Sequence, residues 1–121
     1  MAALRILLVE DEAIIAILLA EVLAGMGHEV CAIAATEEDA VVAAFRRRPD
    51  LMIVDVRLGD GSGVSAVETI LRAGPVPHVC VSGDPSRVQA LRRSAVVMQK
   101  PFQEADLARA IQHALGALAA S

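Results

Sequence analysis

The stretch LMIVD, residues 51–55, is apolar for four positions and then ends in the carboxylate of Asp55. Pro49 lies just before it, and a glycine-rich loop follows it, with Gly59, Gly61 and Gly63. A short apolar run between such residues is typical of a buried β-strand. Because the run is apolar throughout and does not alternate, we expect both of its faces to be covered, as in a parallel sheet between helix layers.

Strands and helices alternate along the rest of the chain in the same way. The pattern predicts five strands, at residues 4–9, 29–34, 51–55, 78–82 and 96–98, and five helices, at 12–25, 36–47, 64–72, 86–93 and 103–118. Right-handed crossovers between parallel strands then predict an α/β fold. We expect a doubly wound five-stranded parallel sheet in the flavodoxin-like order 2-1-3-4-5, with helices on both faces.

Length and composition limit the kind of protein. The 121 residues are enough for one hydrophobic core, so we expect a single domain over residues 1–121 with its core at about 4–118. Aromatic residues make up 2% of the chain and the formal net charge is -4, which argues against binding to nucleic acid. The longest apolar run, residues 13–20, is far shorter than the roughly 20 residues that span a bilayer. With no signal-peptide pattern, we expect a cytoplasmic protein with no membrane partner.

Polar side chains stand at the carboxyl ends of four predicted strands. They are Glu10, Asp11 and Glu12 after the first strand, Asp55 at the end of the third, Ser82 at the end of the fourth, and Lys100 after the fifth. In open α/β sheets, ligands bind beyond the carboxyl ends of the strands, near the point where the strand order reverses. We therefore expect these side chains to converge on one site.

The residue types in this set suit phosphoryl transfer. Crowded carboxylates resist simultaneous ionisation, and a hard divalent cation relieves the repulsion. Mg²⁺ prefers one or two carboxylates together with waters and a phosphate oxygen. A carboxylate can then act as a nucleophile toward phosphorus, in a reaction that needs mainly charge neutralisation and positioning. Lys100 provides a compact positive charge and Ser82 provides a hydroxyl group.

Over about residues 4–118, the chain resembles the receiver domains of bacterial two-component response regulators. Four motifs in the same order carry the resemblance: LVEDE at 8–12, LMIVD at 51–55, VCVSG at 79–83 and KPF at 100–102. The resemblance implies that Asp55 is the phosphoacceptor. It also implies that Glu10 and Asp11 hold Mg²⁺, with Asp55 and the backbone carbonyl of Arg57 completing the protein ligands. Asp60 lies beyond the strand end, where formation of a turn is its expected role.

The other two motifs imply further roles. Ser82 would hydrogen-bond the phosphoryl group, and Lys100 would pair with a phosphoryl oxygen. The Lys100–Pro101 peptide bond would be cis.

The resemblance implies a phosphorylation-dependent signalling switch and not a dedicated enzyme. A sensor histidine kinase or a histidine phosphotransfer protein would donate the phosphoryl group to Asp55. The output would be binding to an unknown downstream protein, by a monomer or a weak homodimer. A phosphatase or phosphotransferase for small substrates normally has a second acid two residues after the nucleophile, where this chain has Arg57.

Two departures from the family pattern favour an alternative. Val97 takes the position of the usual aromatic residue of the fifth strand. Only 17 residues separate Ser82 from Lys100, which predicts a fourth helix that is short, displaced or mobile. The alternative is a protein-binding pseudo-receiver that does not switch.

Two opposite charges are expected at the mouth of the site. Arg57 and Asp84 either pair across it or remain separate solvated charges.

The first predicted helix is apolar on every face, because positions 13–20 have the sequence AIIAILLA. A helix that flanks a sheet normally keeps a polar outer face. Either some of its large side chains, at 14, 15, 17, 18 and 19, form an exposed surface for a partner protein, or the last helix covers them with Ala108 and Leu115.

Overall fold

Strands and helices alternate along the chain, which a computed structural model describes for residues 3–92 and 95–120. The strands are β1 (Arg5–Val9), β2 (Glu29–Ala34), β3 (Leu51–Asp55), β4 (Arg57–Leu58), β5 (Gly61–Ser62), β6 (His78–Ser82) and β7 (Val97–Gln99). The helices are α1 (Ala13–Gly25), α2 (Glu37–Arg47), α3 (Gly63–Leu71), α4 (Pro85–Leu91) and α5 (Glu104–Ala120).

Five of these strands form one parallel sheet, in the order β2-β1-β3-β6-β7. They are the five strands expected from the sequence, so the predicted order 2-1-3-4-5 and the doubly wound fold are confirmed. The strand order reverses between β1 and β3, and their carboxyl ends lie side by side, with Val9 opposite Val54. The polar residues that follow these strands are therefore neighbours.

Alternate residues of the central strands enter two separate core layers. Ile6 and Leu8 pack with Leu23 of α1 and with Leu107 and Ile111 of α5. The other layer contains residues of β1, β3, α2 and α3, among them Leu7, Val9, Met52, Ala40 and Val67. This coverage on both faces explains why the strands are apolar throughout.

The antiparallel hairpin formed by β4 and β5 did not follow from the sequence pattern. Its strands have two residues each, which is too short for a periodic signal, and Arg57 pairs with Ser62. Gly59 adopts a positive φ of 56° at the turn, next to Asp60, which has the turn position expected for it. The hairpin stands directly after β3 and therefore borders the site.

The ends of several elements differ slightly from those predicted. β7 begins one residue later than expected, and α5 continues to Ala120, beyond the predicted end at 118. α4 spans only seven residues, so the expected short fourth helix is confirmed. Arg93, the predicted last residue of that helix, lies outside the described residues.

Helix α1 has an exposed apolar face. Ile14, Ile17 and Leu18 are 74%, 55% and 53% exposed, whereas Leu19 packs against the core below α5. Leu115 of α5 also packs on that core and leaves the outer side chains of α1 uncovered. The predicted exposure of this face is therefore confirmed, and coverage by α5 is wrong for these three residues.

None of the helices in the described part of the chain combines the length and the apolar character that crossing a bilayer requires.

Candidate functional site

Buried polar side chains are concentrated at the carboxyl edge of the sheet. Glu10, Asp55 and Ser82 are only 6%, 7% and 5% exposed. Of the described residues, His28 is the one other polar residue with comparable burial. Since burial of polar groups without partners is costly, the cluster marks a site that the fold maintains against that cost.

Both carboxylate oxygens of Asp55 accept hydrogen bonds. The Lys100 ammonium donates to Oδ2 at 2.5 Å, and the backbone N–H of Arg57 donates to Oδ1 at 2.9 Å. The first contact joins the end of β3 to the residue that follows β7. The second holds the start of β4 against the carboxylate.

The charge of Lys100 is stabilised by its surroundings. Partial burial lowers the pKa of Lys100, but the hydrogen bond to Asp55 and its negative charge outweigh this effect. The charges of Glu10 and Glu12 add to the increase, and the pKa of Lys100 lies above its ordinary value. Lys100 therefore remains a cation at physiological pH.

Glu10 lies in an excess of negative charge. Burial raises the pKa of Glu10 to about 7, although a hydrogen bond from the backbone N–H of Glu12 at 3.1 Å lowers it. The negative charge of Asp55 and the neighbouring Asp11 carboxylate raise it further. Asp11 is exposed at the rim, across from Gly59 of the hairpin.

This set of donors is compatible with a hard divalent cation. The structure brings Glu10 and Asp55 together and places Asp11 at the edge of the same cluster. Over residues 3–92 and 95–120, no three acidic, His or Cys side chains are already arranged as a metal cage. Mg²⁺ needs fewer protein ligands, because waters complete its coordination. Oxygen donors in an acidic cluster that Lys100 compensates only in part therefore fit this ion.

Ser82 forms hydrogen bonds with the segment that follows β6 and with the segment that follows β7. Its Oγ accepts a hydrogen bond from the backbone N–H of Asp84 at 2.9 Å, and its carbonyl accepts one from the N–H of Lys100 at 2.9 Å. Asp84 in turn caps α4, because its Oδ1 accepts from the N–H of Arg87 at 3.4 Å. The Ser82 hydroxyl is thus connected to the start of α4.

The carboxylate of Asp84 makes this cap and no ion pair with Arg57 within the described residues. Both side chains are exposed, and with Arg87 they line a groove of about 500 Å³ beside Ser82. Of the two alternatives for Arg57 and Asp84, separate solvated charges agree with the structure.

The sequence did not indicate that two residues, Gly63 and Glu37, position the loop that follows β3. Gly63 approaches β3 so closely that a Cβ there would overlap the carbonyl oxygen of Asp55. The Glu37 carboxylate accepts a hydrogen bond from the N–H of Ser62. The glycine-rich loop was a signal for Gly63, whereas nothing local connects Glu37 with a loop 25 positions away.

Two family features can be compared directly with the structure. The Lys100–Pro101 peptide bond is cis, as the resemblance implied. Val97 is half-buried against apolar residues of α3, β6 and α4, namely Val64, Cys80 and Val88. Small side chains therefore fill the region where an aromatic ring was expected.

The fold and this cluster of residues agree with the comparisons to known proteins. The family model of the response regulator receiver domain matches residues 6–112. The chain belongs to this family.

Individual relatives include regulators of larger size. Phyllosphere-induced regulator PhyR from Methylorubrum extorquens is 38% identical over 117 residues, which cover 93% of this chain and 44% of PhyR. Transcriptional regulatory protein PdtaR from Mycobacterium tuberculosis is 34% identical over 115 residues, which cover 92% of this chain and 56% of PdtaR. The chain thus spans about half the length of these two relatives, which are both regulators by name.

A solved structure covers nearly the same unit. The solution structure of the REC domain of the PhyR response regulator from Erythrobacter litoralis is similar with a TM-score of 0.85 and 33% identity. The match covers 96% of this chain and 92% of that one.

Proposed function

We propose that residues 1–121 form one receiver domain, with its core at about 4–118, which accepts a phosphoryl group on Asp55 from a phosphohistidine. The observation that carries the proposal is the contact between Asp55 and Lys100 at 2.5 Å, beside the buried Glu10. A structural ion pair alone would not require a further buried acid beside it, since that acid adds repulsion.

Each site residue has its own role in the phosphoryl transfer. A carboxylate oxygen of Asp55 attacks phosphorus as the phosphorus–nitrogen bond of the donor histidine breaks. The Lys100 ammonium, already 2.5 Å from Oδ2, then pairs with an oxygen of the bound phosphoryl group. The Ser82 hydroxyl turns from the Asp84 N–H to another phosphoryl oxygen.

Glu10, Asp11, Asp55 and the backbone carbonyl of Arg57 are the proposed protein ligands of Mg²⁺. When bound, this ion would neutralise negative charge on the transferring phosphoryl group and on the acidic cluster. The raised pKa of Glu10 supports the assignment, because a cation would relieve the crowding of carboxylates that contributes to it.

The phosphoryl donor is a sensor histidine kinase or a histidine phosphotransfer protein. The exposed apolar face of α1, with Ile14, Ile17 and Leu18, begins next to Asp11 and therefore adjoins the site. Docking of the donor on this face would bury apolar side chains and bring its histidine to Asp55. The protein would act in the cytoplasm, with no dedicated enzymatic activity beyond slow hydrolysis of its own aspartyl phosphate.

The output is binding to a downstream protein. One similar structure, of PhyR from Bartonella quintana, is a complex with the anti-sigma factor NepR, at 35% identity over 63% of this chain and 32% of that one. That complex supports partner binding as the kind of output.

A non-switching pseudo-receiver is the second candidate. Val97 favours it, because no aromatic ring is present at this position to follow the Ser82 hydroxyl inward. Such a protein would bind its partner equally well as wild type and as Asp55→Asn.

The first test is incubation with acetyl phosphate and Mg²⁺, followed by intact-mass measurement. We expect wild type and the matched control Asp60→Asn to gain one phosphoryl group, and Asp55→Asn to gain none. Asp60 is an exposed acid of the adjacent hairpin, so its replacement controls for loss of charge. Labelling of Asp55→Asn would overturn the assignment, and unlabelled wild type would favour the pseudo-receiver.

A further inference from the structure

A groove lies between the carboxyl-terminal ends of α2 and α3, at the edge of the sheet opposite Asp55. Its volume is about 390 Å³, within the roughly 300–1,000 Å³ of ligand pockets. Pro49 and Val76, in the loops that lead into β3 and β6, contribute to its walls. Because the five residues of β3 rise by about 3.3 Å each, the groove lies about 15 Å from the acceptor carboxylate.

The floor of the groove is apolar and continues into the core. Ala44, Ile70 and Val76 line it, and the same residues pack in the core layer that α2 and α3 cover. Phe45 also lines the groove, yet 51% of this aromatic residue is exposed. Such a floor can hold a bulky apolar side chain, and Phe45 is available to pack against it.

Four arginines are concentrated at the two helix ends that border the groove. Arg46 and Arg47 lie in the last turn of α2, Arg48 caps α2, and Arg72 caps α3. They are four of the eleven Lys and Arg residues in a chain of net charge -4, and all four are exposed. Over residues 3–92 and 95–120, none of them forms an ion pair. The neighbouring Asp50 accepts a backbone hydrogen bond from the start of β1 at 2.8 Å.

Arg48 has a backbone conformation that glycine adopts more readily. Its φ is 46°, in the left-handed region, and its N–H donates to the carbonyl of Ala44 to end α2. The helix dipole favours cations at this end, but Arg46 and Arg47 already supply them. Neither the turn nor the dipole therefore requires an arginine at position 48.

We propose that the groove binds an acidic peptide segment of a partner protein. One bulky apolar side chain of the segment would rest on the floor, and its carboxylates would pair with the surrounding arginines, whose guanidinium groups match carboxylates in geometry. Aromatic and arginine side chains are enriched in protein interfaces, which agrees with Phe45 beside Arg48. Since Asp55 and the apolar face of α1 stay free, this partner can remain bound while the phosphoryl donor docks. The inference does not depend on phosphorylation of Asp55.

Three other occupants fit the groove less well. A nucleotide would pair its phosphates with the arginines, but apart from Arg48 no lining side chain can hydrogen-bond a base. A second copy related by a twofold axis would set the same arginines against each other. An anionic membrane surface is broad and would not fill a concave groove between two helix ends.

NMR titration of the isotope-labelled protein with the synthetic peptide EEDLFEED tests the proposal. We expect a dissociation constant of about 0.1–0.5 mM, since a short segment with a small interface binds weakly. The amide shifts should be concentrated in residues 45–50 and 72–76. The peptides EEDGGEED, which lacks the apolar anchor, and KKRLFKKR, which reverses the charge, should bind at least about tenfold more weakly.

Arg48→Gly separates binding from folding. Glycine suits the left-handed backbone at this position, so the variant should be at least as stable to heat as wild type. Its affinity for EEDLFEED should nevertheless fall about three- to tenfold, because an arginine partner of the carboxylates is lost. The matched control Arg109→Gln removes an exposed arginine from α5, far from the groove, and should bind like wild type.

A second pair of variants tests the apolar contact. Phe45→Ala should weaken binding at least about fivefold, as expected for loss of an aromatic interface residue. Ile14→Ala removes an exposed apolar side chain from α1 and should leave the affinity unchanged. Circular dichroism establishes that both variants are folded.

Four results would overturn the proposal. One is the absence of shifts in residues 45–50 and 72–76 at about 5 mM peptide, beyond the range of ordinary weak association. Another is an equal response to EEDGGEED or to adenosine triphosphate, which would make the groove a general anion site. A third is binding that Ile14→Ala abolishes and Phe45→Ala does not, which would move the contact to α1. The last is co-sedimentation with phosphatidylserine vesicles that Arg48→Gly abolishes, which would assign the arginines to a membrane surface.

Discussion

The ammonium of Lys100 lies 2.5 Å from the Oδ2 of Asp55, although the two residues are 45 positions apart in the sequence. The contact joins the ends of β3 and β7, which lie on either side of β6 in the sheet. Asp55 is almost fully buried, whereas the Lys100 side chain is partly exposed. The proposed acceptor therefore depends on one long-range partner for much of its charge compensation.

Replacement of Lys100 by Met is expected to destabilise the protein, because the buried Asp55 loses this partner. Partial exposure of the lysine limits the loss, and we expect about 1–2 kcal/mol in the free energy of unfolding. Urea denaturation at neutral pH measures it. Lys100→Arg, which keeps the charge, serves as the control and should lose less. Equal stability of Lys100→Met and wild type would contradict the role of the ion pair.

The raised pKa of Glu10 predicts how the stability of the protein depends on pH when no metal is bound. Because burial raises the pKa of Glu10 in the folded state to about 7, from its ordinary value of 4.5, the folded protein holds a proton that the unfolded chain has released. Stability should therefore fall as the pH rises from 4.5 to about 7. Urea midpoints across this range in the presence of a chelator measure the decrease.

Glu10→Gln is the matched variant for this effect, since it cannot ionise. We expect a flatter pH dependence for it than for wild type. Mg²⁺ should restore stability to the wild-type protein at the upper end of the range and have less effect on the variant. The same slope in both proteins would assign the pH dependence to other groups.

Gly63 should tolerate no larger residue, because a Cβ at this position would overlap the backbone carbonyl of Asp55. We expect Gly63→Ala to reduce the free energy of unfolding by about 2–4 kcal/mol, as a steric clash in a rigid environment. Gly116→Ala in α5, where a Cβ meets nothing within 4 Å, is the control. It should raise stability by about 0.5–1 kcal/mol, since alanine favours helix over glycine. Thermal or urea unfolding compares the two, and a neutral Gly63→Ala would contradict the tight packing.

The hydrogen bond between the Ser82 hydroxyl and the backbone of Asp84 predicts how a bound phosphoryl group affects α4. With beryllofluoride and Mg²⁺ as a phosphoryl mimic, the hydroxyl should leave the Asp84 N–H, and the amide resonances of Asp84 and Arg87 should shift. In Ser82→Ala the shifts should stay near Asp55. The control Ser86→Ala, an exposed residue of α4, should behave like wild type. Shifts confined to the site in the wild-type protein would instead support the pseudo-receiver.

The order of the elements and the composition of the site were both predictable from the sequence. Strand LMIVD shows why: its apolar pattern is local, and parallel strands necessarily bring their carboxyl ends to one edge of the sheet. Glu10, Asp55, Ser82 and Lys100 could thus be assigned to one cluster without coordinates. The family resemblance then supplied their proposed roles.

The contacts within that cluster were decided only by the tertiary structure. Three features depend on the directions that side chains take after packing, which no local sequence pattern encodes. They are the separation of Arg57 from Asp84, the hydrogen-bond partner of the Ser82 hydroxyl, and the failure of α5 to cover α1. The strands of the hairpin were not predicted because two residues are too few for a periodic signal. The hydrogen bond from Ser62 to Glu37 was not predicted because the two residues are far apart in the sequence. The sequence by itself therefore determined which chemical groups meet at the sheet edge. Packing of the folded chain determined their distances, their partners and the groove between α2 and α3, because these arise from residues that are far apart in the chain.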